Sequence, residues 1–478
     1  MKYFTTNYDF HELAKQYGTP LYLYDIDTLS GRYNEIKDSF SGFKSLVCYA
    51  LKANSNLSII KVLAKLGSGA DCVSLNEVKR AIIAGIPTYK IIFSGVGKED
   101  YEIEEALRLG ILFLNVESEM ELLRIENLAK KIAGEKKIGN QHSVDFHQEN
   151  TLYSSHSLNQ NEENIFQARI SIRVNPDVNA KTHPYISTGL HENKFGLDIQ
   201  TAKRLYLYAH KSPFLNPIGI HYHIGSQILD DTPLLESSIK ILELTKSLLS
   251  ANIKLKFFDI GGGFGISYHN EKPFAIQEYI SNIIRKIDAL DLTTICEPGR
   301  FIMGNSGAIL TRVIGEKYTP NKRFVIVDCA MNDLIRPSLY HAYHNIAYLG
   351  SSLNQCKQIP TNTESLKHNH NTLSTQSNDA QQMANDSQSQ EFTKCDIVGA
   401  ICESGDYLAR DRELPKCHAD DLLLIESSGA YGYSMASNYN SRMKPAEVAL
   451  FQGNHYLIKE REKFDESVEN ELANLKEF

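Results

Sequence analysis

The sequence predicts an α/β plus β protein, a closed (β/α)8 TIM-type barrel followed by a second, mainly β domain of the barrel or sandwich type. Three observations carry that prediction. Between about residues 43 and 300, eight short β-rich runs alternate with longer stretches of helical apolar spacing. After Arg300 the helical spacing fades, and β-rich runs are separated by turn-rich segments. The chain's 478 residues also exceed the roughly 250–300 at which one hydrophobic core usually gives way to two.

The eight strand candidates, in order, are LVCYAL, ADCVS, KIIFSG, ILFLNV, RISIRV, IGIHYHI, FFDIGGG and TICEPG. The stretches between them, such as NLSIIKVLAKLG and SLNEVKRAIIAG, set apolar residues three and four apart and run out at Gly67 and Gly85, which predicts helices with glycine stops. Closing eight parallel strands leaves no edge strand and buries both faces of the sheet, which favours a barrel over an open doubly wound sheet, the alternative arrangement. Beyond the barrel, RFVIVDCA, KCDIVGAICES and DLLLIESSGAYG predict the β domain. The expected boundaries are an N-terminal segment, 1–27, joining the β domain, a barrel over 28–305, and the β domain over 306–478. Two stretches interrupt this plan, about 139–164 and about 360–391. Both are polar and cannot bury enough apolar surface to offset the entropy of ordering, so both read as disordered surface insertions. The HNH at 368–370 is expected to be solvated loop rather than a metal site, and no metal is expected elsewhere.

Composition narrows the ligand class. Fifty Lys and Arg against 58 Asp and Glu give a formal charge of −8 with no basic block, so neither nucleic acid nor an anionic membrane is an expected partner. A small molecule is. Eight cysteines without a CxxC pair read as reduced thiols of a cytoplasmic protein, and neither a secretory apolar core at the start nor an 18-residue apolar run is present.

In a (β/α)8 barrel the C-terminal strand ends share one face, where chemistry is assembled. The unusual residues fall there: Lys52 closes the first strand, Asp71 lies in the second, His221 and His223 end the sixth, Gly261, Gly262 and Gly263 end the seventh, and Glu297 ends the eighth. A desolvated lysine with a lowered pKa suits Schiff-base formation. DIGGGFG is a tight turn by itself, but after the seventh barrel strand its backbone N–H groups are placed to hold phosphate. HYHIGSQ reads either as two satisfied core histidines or as a ring stacked on a flat cofactor. CEPGR reads either as a turn with a surface ion pair or as a carboxylate facing a pyridinium nitrogen. A Schiff-base lysine, a phosphate cradle, a stacking histidine and a pyridinium carboxylate together describe pyridoxal 5′-phosphate.

At this point the sequence resembles the fold-type III, alanine-racemase-like decarboxylases over nearly the whole chain outside the two insertions. The matching strings occur in the family's order: YALKANSN, GADCVSLNE, RVNPDVNAKTHPYISTGLHENKFGL, HYHIGSQ, DIGGGFG, CEPGRF, RPSLY, CESGD and GAYGYSMASNYN. The resemblance implies that Lys52 binds the cofactor, beside Asp71, that His223 stacks on its ring and that Glu297 keeps the pyridine nitrogen protonated. It implies a phosphate shell of Ser226, Gly261–Gly263 and Tyr431, with Gly299 and Arg300 of the EPGR turn nearby. Arg300, Arg336 and Tyr340 resemble the clamp on the substrate carboxylate, for which arginine's fork is suited, and Tyr431 also borders the substrate. Cys402 matches the family's proton donor and Glu403 the residue that engages the substrate's distal end. By itself Cys402 would read as a buried structural thiol. The resemblance also implies a homodimer in which Cys402 and Glu403 of one subunit serve the barrel of the other. One departure is Ala400 where proline is expected, which would loosen the Cys402 loop.

The activity implied is removal of the carboxylate from the D-configured centre of meso-2,6-diaminopimelate, giving L-lysine and CO2, the last step of lysine biosynthesis. The alternatives are a sibling decarboxylase of ornithine, arginine or carboxynorspermidine, a non-enzymatic pyridoxal-phosphate-binding protein and, most distantly, a nicotinamide dehydrogenase. Glu403 and the RPSLY string disfavour the diamine-forming siblings, because both suit a second amino-acid head group.

Overall fold

Strand β1 (Leu21–Asp25) ends at an aspartate whose carboxylate accepts from the Thr28 backbone N–H and so caps the helix Ile26–Ser39. Such a cap contributes about 1 kcal/mol. The computed structural model describes residues 4, 8–138, 165–180, 194–351 and 391–477, and these divide into two compact units. The insertion at 139–164, and that at 360–391 apart from its last residue, lie outside the described residues, as does the HNH at 368–370. Among the described residues no helix is long and apolar enough to cross a membrane.

One unit, residues 25–306 with 429–434, is built on a closed barrel of eight parallel strands. The strands are β2 (Ser45–Ala50), β3 (Gly69–Cys72), β4 (Ile91–Phe93), β5 (Phe113–Val116), β6 (Ala168–Arg173), β7 (Leu215–His221), β8 (Phe257–Asp259) and β9 (Thr293–Cys296). Each overlaps the run expected for it, because a strand buried on both faces reads as a mainly apolar run. Closure is between β2 and β9, with Val47 opposite Cys296. Inside, Cys48, Ile92, Phe113, Ile218 and Ile295 pack into one apolar cluster. The helices return the chain between strands. Asn56 caps Leu57–Leu66, which stops at Gly67 with φ 98°, a left-handed stop suited to glycine.

The other unit, residues 1–24, 307–428 and 435–478, holds a nine-stranded sheet. Its further strands are β10 (Gly307–Tyr318), β11 (Arg323–Val327), β12 (Ile346–Gly350), β13 (Thr393–Val398), β14 (Tyr407–Leu414), β15 (Leu422–Ile425), β16 (Ala446–Phe451) and β17 (Asn454–Lys459). The long strand β10 organises them, pairing antiparallel with β1, β11 and β15. Leu21, Leu23, Leu310, Leu424 and Val448 form its core.

The boundaries differ from those expected at three places, one of them Ser306, which belongs with the barrel unit. Residues 25–27 belong with the barrel, because Asp25 caps a helix of that unit and its N–H bonds the Ser306 carbonyl. Residues 429–434 also belong with the barrel rather than the β domain. They are held there by Tyr431 N–H and Ser434 Oγ, which both donate to the Ala53 carbonyl, at 2.8 and 3.2 Å.

Candidate active site

The mouth of the barrel is assembled from β3, the end of β6 and the turns that follow β2, β7, β8 and β9. Lys52 sits in the short 3-10 turn Leu51–Ala53 directly after β2, and its Nζ is 2.8 Å from Asp71 Oδ2 on β3. Asp71 is fully buried, while 39% of the lysine side-chain surface is exposed at the mouth. Burial alone would lower the ammonium pKa, as the sequence suggested. The neighbouring Asp71, then Tyr431 and Glu297, reverse this, and the net direction is upward. The expectation of a lowered pKa is therefore corrected: the amine is held as the cation by its carboxylate partner.

The turn after β8 carries the glycines. Gly261 has φ 64°, and a Cβ there would lie 2.4 Å from the Tyr222 carbonyl; at Gly262 it would lie 2.1 Å from the Glu297 carbonyl. No side chain fits either position. Gly261 N–H is bonded to Asp259 Oδ1 at 2.9 Å, and Gly262 N–H to His223 Nδ1 at 3.2 Å. The sequence reading had these amides free for phosphate; two of the three are engaged within the protein, because the turn doubles back on its own strand end and on His223.

His223 is half-buried, and burial followed by the positive charges of Arg173 and Lys52 lowers its pKa well below the ordinary value. It is a neutral ring at physiological pH, accepting at Nδ1 from Gly262. Arg173 comes from the end of β6, where Glu117 accepts from its Nη1 at 2.9 Å while its Nη2 donates to the His223 carbonyl at 3.3 Å. Glu297 follows β9 and is buried. Its Oε1 has no hydrogen-bond partner among the described residues, and its Oε2 lies 3.2 Å from His221 Nε2. Burial raises a carboxyl pKa, but His221 first and then Lys52 more than offset it, and Glu297 is held below its ordinary range as a carboxylate.

A third group surrounds Arg300. Its Nε and Nη2 donate to Ser226 Oγ at 3.3 and 3.2 Å, and its Nη1 donates to Tyr268 Oη at 2.7 Å. Its guanidinium carbon lies 4.8 Å from the centre of the Tyr431 ring, within cation–π range. Tyr431 has φ 57°, an uncommon left-handed conformation for a tyrosine. Gly299 brings this turn against the lysine turn, where an added Cβ would come within 3.1 Å of Ala53 Cβ.

The remaining expected residues lie in the β unit. Arg336 is buried, with Nη1 2.9 Å from His344 Nε2, and Tyr340 ends the same short helix, Arg336–Tyr340. Cys402 and Glu403 are exposed. Asn440 Oδ1 accepts from the Cys402 N–H at 2.8 Å, and Tyr439 Oη donates to Glu403 at 2.9 Å. The buried-thiol alternative for Cys402 is thus overturned. Ala400 does not leave the loop untied, because Asp406 accepts from the N–H groups of Met331 and Ile401 at 2.7 and 2.8 Å.

The mouth thus offers an amine, an unpartnered buried carboxylate, a neutral flat ring and a hydroxyl–arginine–tyrosine cluster beside a turn with no Cβ. These donors fit pyridoxal 5′-phosphate. Asp259, Tyr268, Arg173 and Glu117 belong to the same constellation, though only the pairing of strand ends, which one sequence does not display, reveals them. A family model described as pyridoxal-dependent decarboxylase, pyridoxal binding domain, matches residues 26–304, and the chain belongs to that family of enzymes. Its cofactor is accordingly pyridoxal 5′-phosphate.

Diaminopimelate decarboxylases are among the proteins similar to this chain. Diaminopimelate decarboxylase of Helicobacter pylori is 45% identical over 468 residues, covering 98% of this chain and 99% of that protein. Diaminopimelate decarboxylase of Campylobacter jejuni is 44% identical over 469 residues, covering 98% and 100%. The crystal structure of Helicobacter pylori diaminopimelate decarboxylase complexed with L-lysine superposes with a TM-score of 0.81 at 44% identity, covering 98% of this chain and 100% of that one.

Proposed function

We propose that this enzyme decarboxylates meso-2,6-diaminopimelate at its D-configured centre, releasing CO2 and L-lysine as the last step of lysine biosynthesis. The observation that carries the reading is the Lys52, Asp71 and Glu297 arrangement at the barrel mouth, in a chain similar over nearly all its length to diaminopimelate decarboxylases. When bound, pyridoxal 5′-phosphate supplies an electron sink for the bond broken on loss of CO2.

The chain's own residues do the rest. Lys52 anchors the cofactor and Asp71 keeps the amine oriented. Glu297, a buried carboxylate, would face the pyridine nitrogen and favour its protonated form. His223 would offer a neutral ring to the cofactor's face. Ser226, the Gly263 amide, Gly299, Arg300 and Tyr431 would hold the phosphate, with Gly261 and Gly262 shaping the turn beside it. Arg300, Arg336 and Tyr340 orient the substrate carboxylate with Tyr431 nearby, and Glu403 takes the distal amino-acid head. Cys402 supplies the proton that replaces the lost carboxylate. The exposure of Cys402 and Glu403 supports their serving a second copy, in a homodimer with shared sites. Seven thiols left free among the described residues suit the cytoplasm.

The test is CO2 release from the meso, LL and DD isomers of diaminopimelate, ornithine, arginine and carboxynorspermidine. Turnover confined to substrates with a D-configured amino-acid centre, with L-lysine formed from the meso isomer, is expected. Faster turnover of ornithine, arginine or carboxynorspermidine would replace the substrate assignment.

A further inference from the structure

Three buried titratable side chains meet beneath the mouth. His221 ends β7, Asp259 ends β8 and Glu297 follows β9, and one polar atom from each lies within 4.8 Å of the others. All three are at least nine-tenths buried. Asp259 Oδ1 accepts from Gly261 N–H, but Oδ2, like Glu297 Oε1, has no hydrogen-bond partner among the described residues. His221 Nε2 is 3.2 Å from Glu297 Oε2 without the alignment of a hydrogen bond. Two carboxylates this close and this dry cannot both be ionised cheaply, and neither orphaned oxygen finds a backbone or side-chain donor. A proton on one of them is the missing donor.

We infer that Asp259 holds this proton as a neutral carboxylic acid, with Oδ2 directed to Glu297, and that His221 and Asp259 together are positioning residues that keep Glu297 the ionised member of the cluster. The inference rests on the proposed role of Glu297 opposite the cofactor nitrogen. The surroundings choose the carboxyl. Glu297 faces the Lys52 cation, and the His221 imidazole lies 3.2 Å from its Oε2. Asp259 faces Glu297 and Asp71, and its field also reaches Cys48, Cys296 and Tyr222; His221 lies within 4.8 Å of it, but the imidazole Nε2 sits 3.2 Å from Glu297 Oε2. Burial first, and then the Glu297 charge, push the Asp259 carboxyl well above the ordinary range, in keeping with this assignment. A neutral Asp259 delivers a hydrogen bond without adding a second negative charge, so Glu297 can serve the cofactor nitrogen undivided.

The test is carbon-13 NMR of the full-length protein with labelled Asp and Glu carboxyl carbons, loaded with and stripped of pyridoxal 5′-phosphate. Asp259→Asn and Glu297→Gln assign the two resonances by their loss. At pH 7 the resonance lost in Asp259→Asn should sit at the carboxylic-acid position and the one lost in Glu297→Gln at the carboxylate position. Both at the carboxylate position, or the proton on Glu297, overturns the inference. His221→Leu should raise the Glu297 titration midpoint by about one pH unit or more; an unchanged midpoint removes His221 from the cluster. If Asp259→Asn does not fold, Asp259→Leu, close in shape to the neutral acid, assigns the resonance by the same loss. The proposed role of Glu297 is read separately, from the nitrogen-15 shift of labelled cofactor in Glu297→Gln. No response there would count against that role while the carboxyl resonances still report on Asp259.

Discussion

Lys52 Nζ and Asp71 Oδ2 stand 2.8 Å apart across neighbouring barrel strands, an ion pair with one partner fully buried and the other at the mouth. The pair gives the lysine of the turn Leu51–Ala53 its place: the buried carboxylate on β3 is stabilised by a cation beside it.

Replacing Asp71 by Asn removes the charge that raises the Lys52 pKa and leaves burial, which lowers it. In the cofactor-free protein the Lys52 amine should then be modified by trinitrobenzenesulfonate at pH 8 at least about tenfold faster than in the wild type, since each pKa unit is a factor of ten in free amine. Equal rates would show that Asp71 does not control the amine.

Glu297→Gln substitutes a neutral amide for the carboxylate. Turnover should fall by roughly 10²-fold or more while KM changes a few-fold, because the amide cannot favour a protonated ring nitrogen. A fall in KM-controlled binding with kcat preserved would assign Glu297 to substrate binding instead.

Asp333 in the β unit has its pKa pushed up to about 7, chiefly by burial. A carboxyl raised in the folded state stabilises the fold below its unfolded pKa near 4 and loses that contribution as pH rises through about 7. Between pH 5 and 8 the melting temperature of the wild type should therefore fall relative to that of Asp333→Asn, measured by calorimetry. Parallel curves for the two proteins would mean that Asp333 titrates normally.

A shared site in the proposed homodimer makes two inactive variants complement. In a heterodimer of Lys52→Ala and Cys402→Ala, one site carries both lesions and the other neither. Equal mixing with free subunit exchange should therefore recover roughly a quarter of wild-type activity. Confirmed exchange without recovery would place each site within one chain.

What could be read along the chain was whatever is local. The eight barrel strands were legible because each is a short apolar run, and the stop at Gly67 because a left-handed helix end selects glycine. Lys52, His223 and Glu297 were legible because strand ends in a barrel share one face. The state of those residues was not. The upward shift at Lys52 depends on Asp71, 19 residues away, and the commitment of the Gly261 and Gly262 amides depends on how the turn folds back. Asp259 passed as an ordinary member of DIGGG, since its importance comes from Glu297 on the next strand. The segment 429–434 read as β domain because its neighbours are, and only the Ala53 carbonyl shows where it is held.

The central claim is that Lys52 is the amine that binds pyridoxal 5′-phosphate. Borohydride reduction of the loaded enzyme followed by peptide mapping tests it most directly. A pyridoxyl group on the peptide containing Lys52, and none in a folded Lys52→Ala variant, is the predicted result; a pyridoxyl group on any other lysine of the wild type would contradict it.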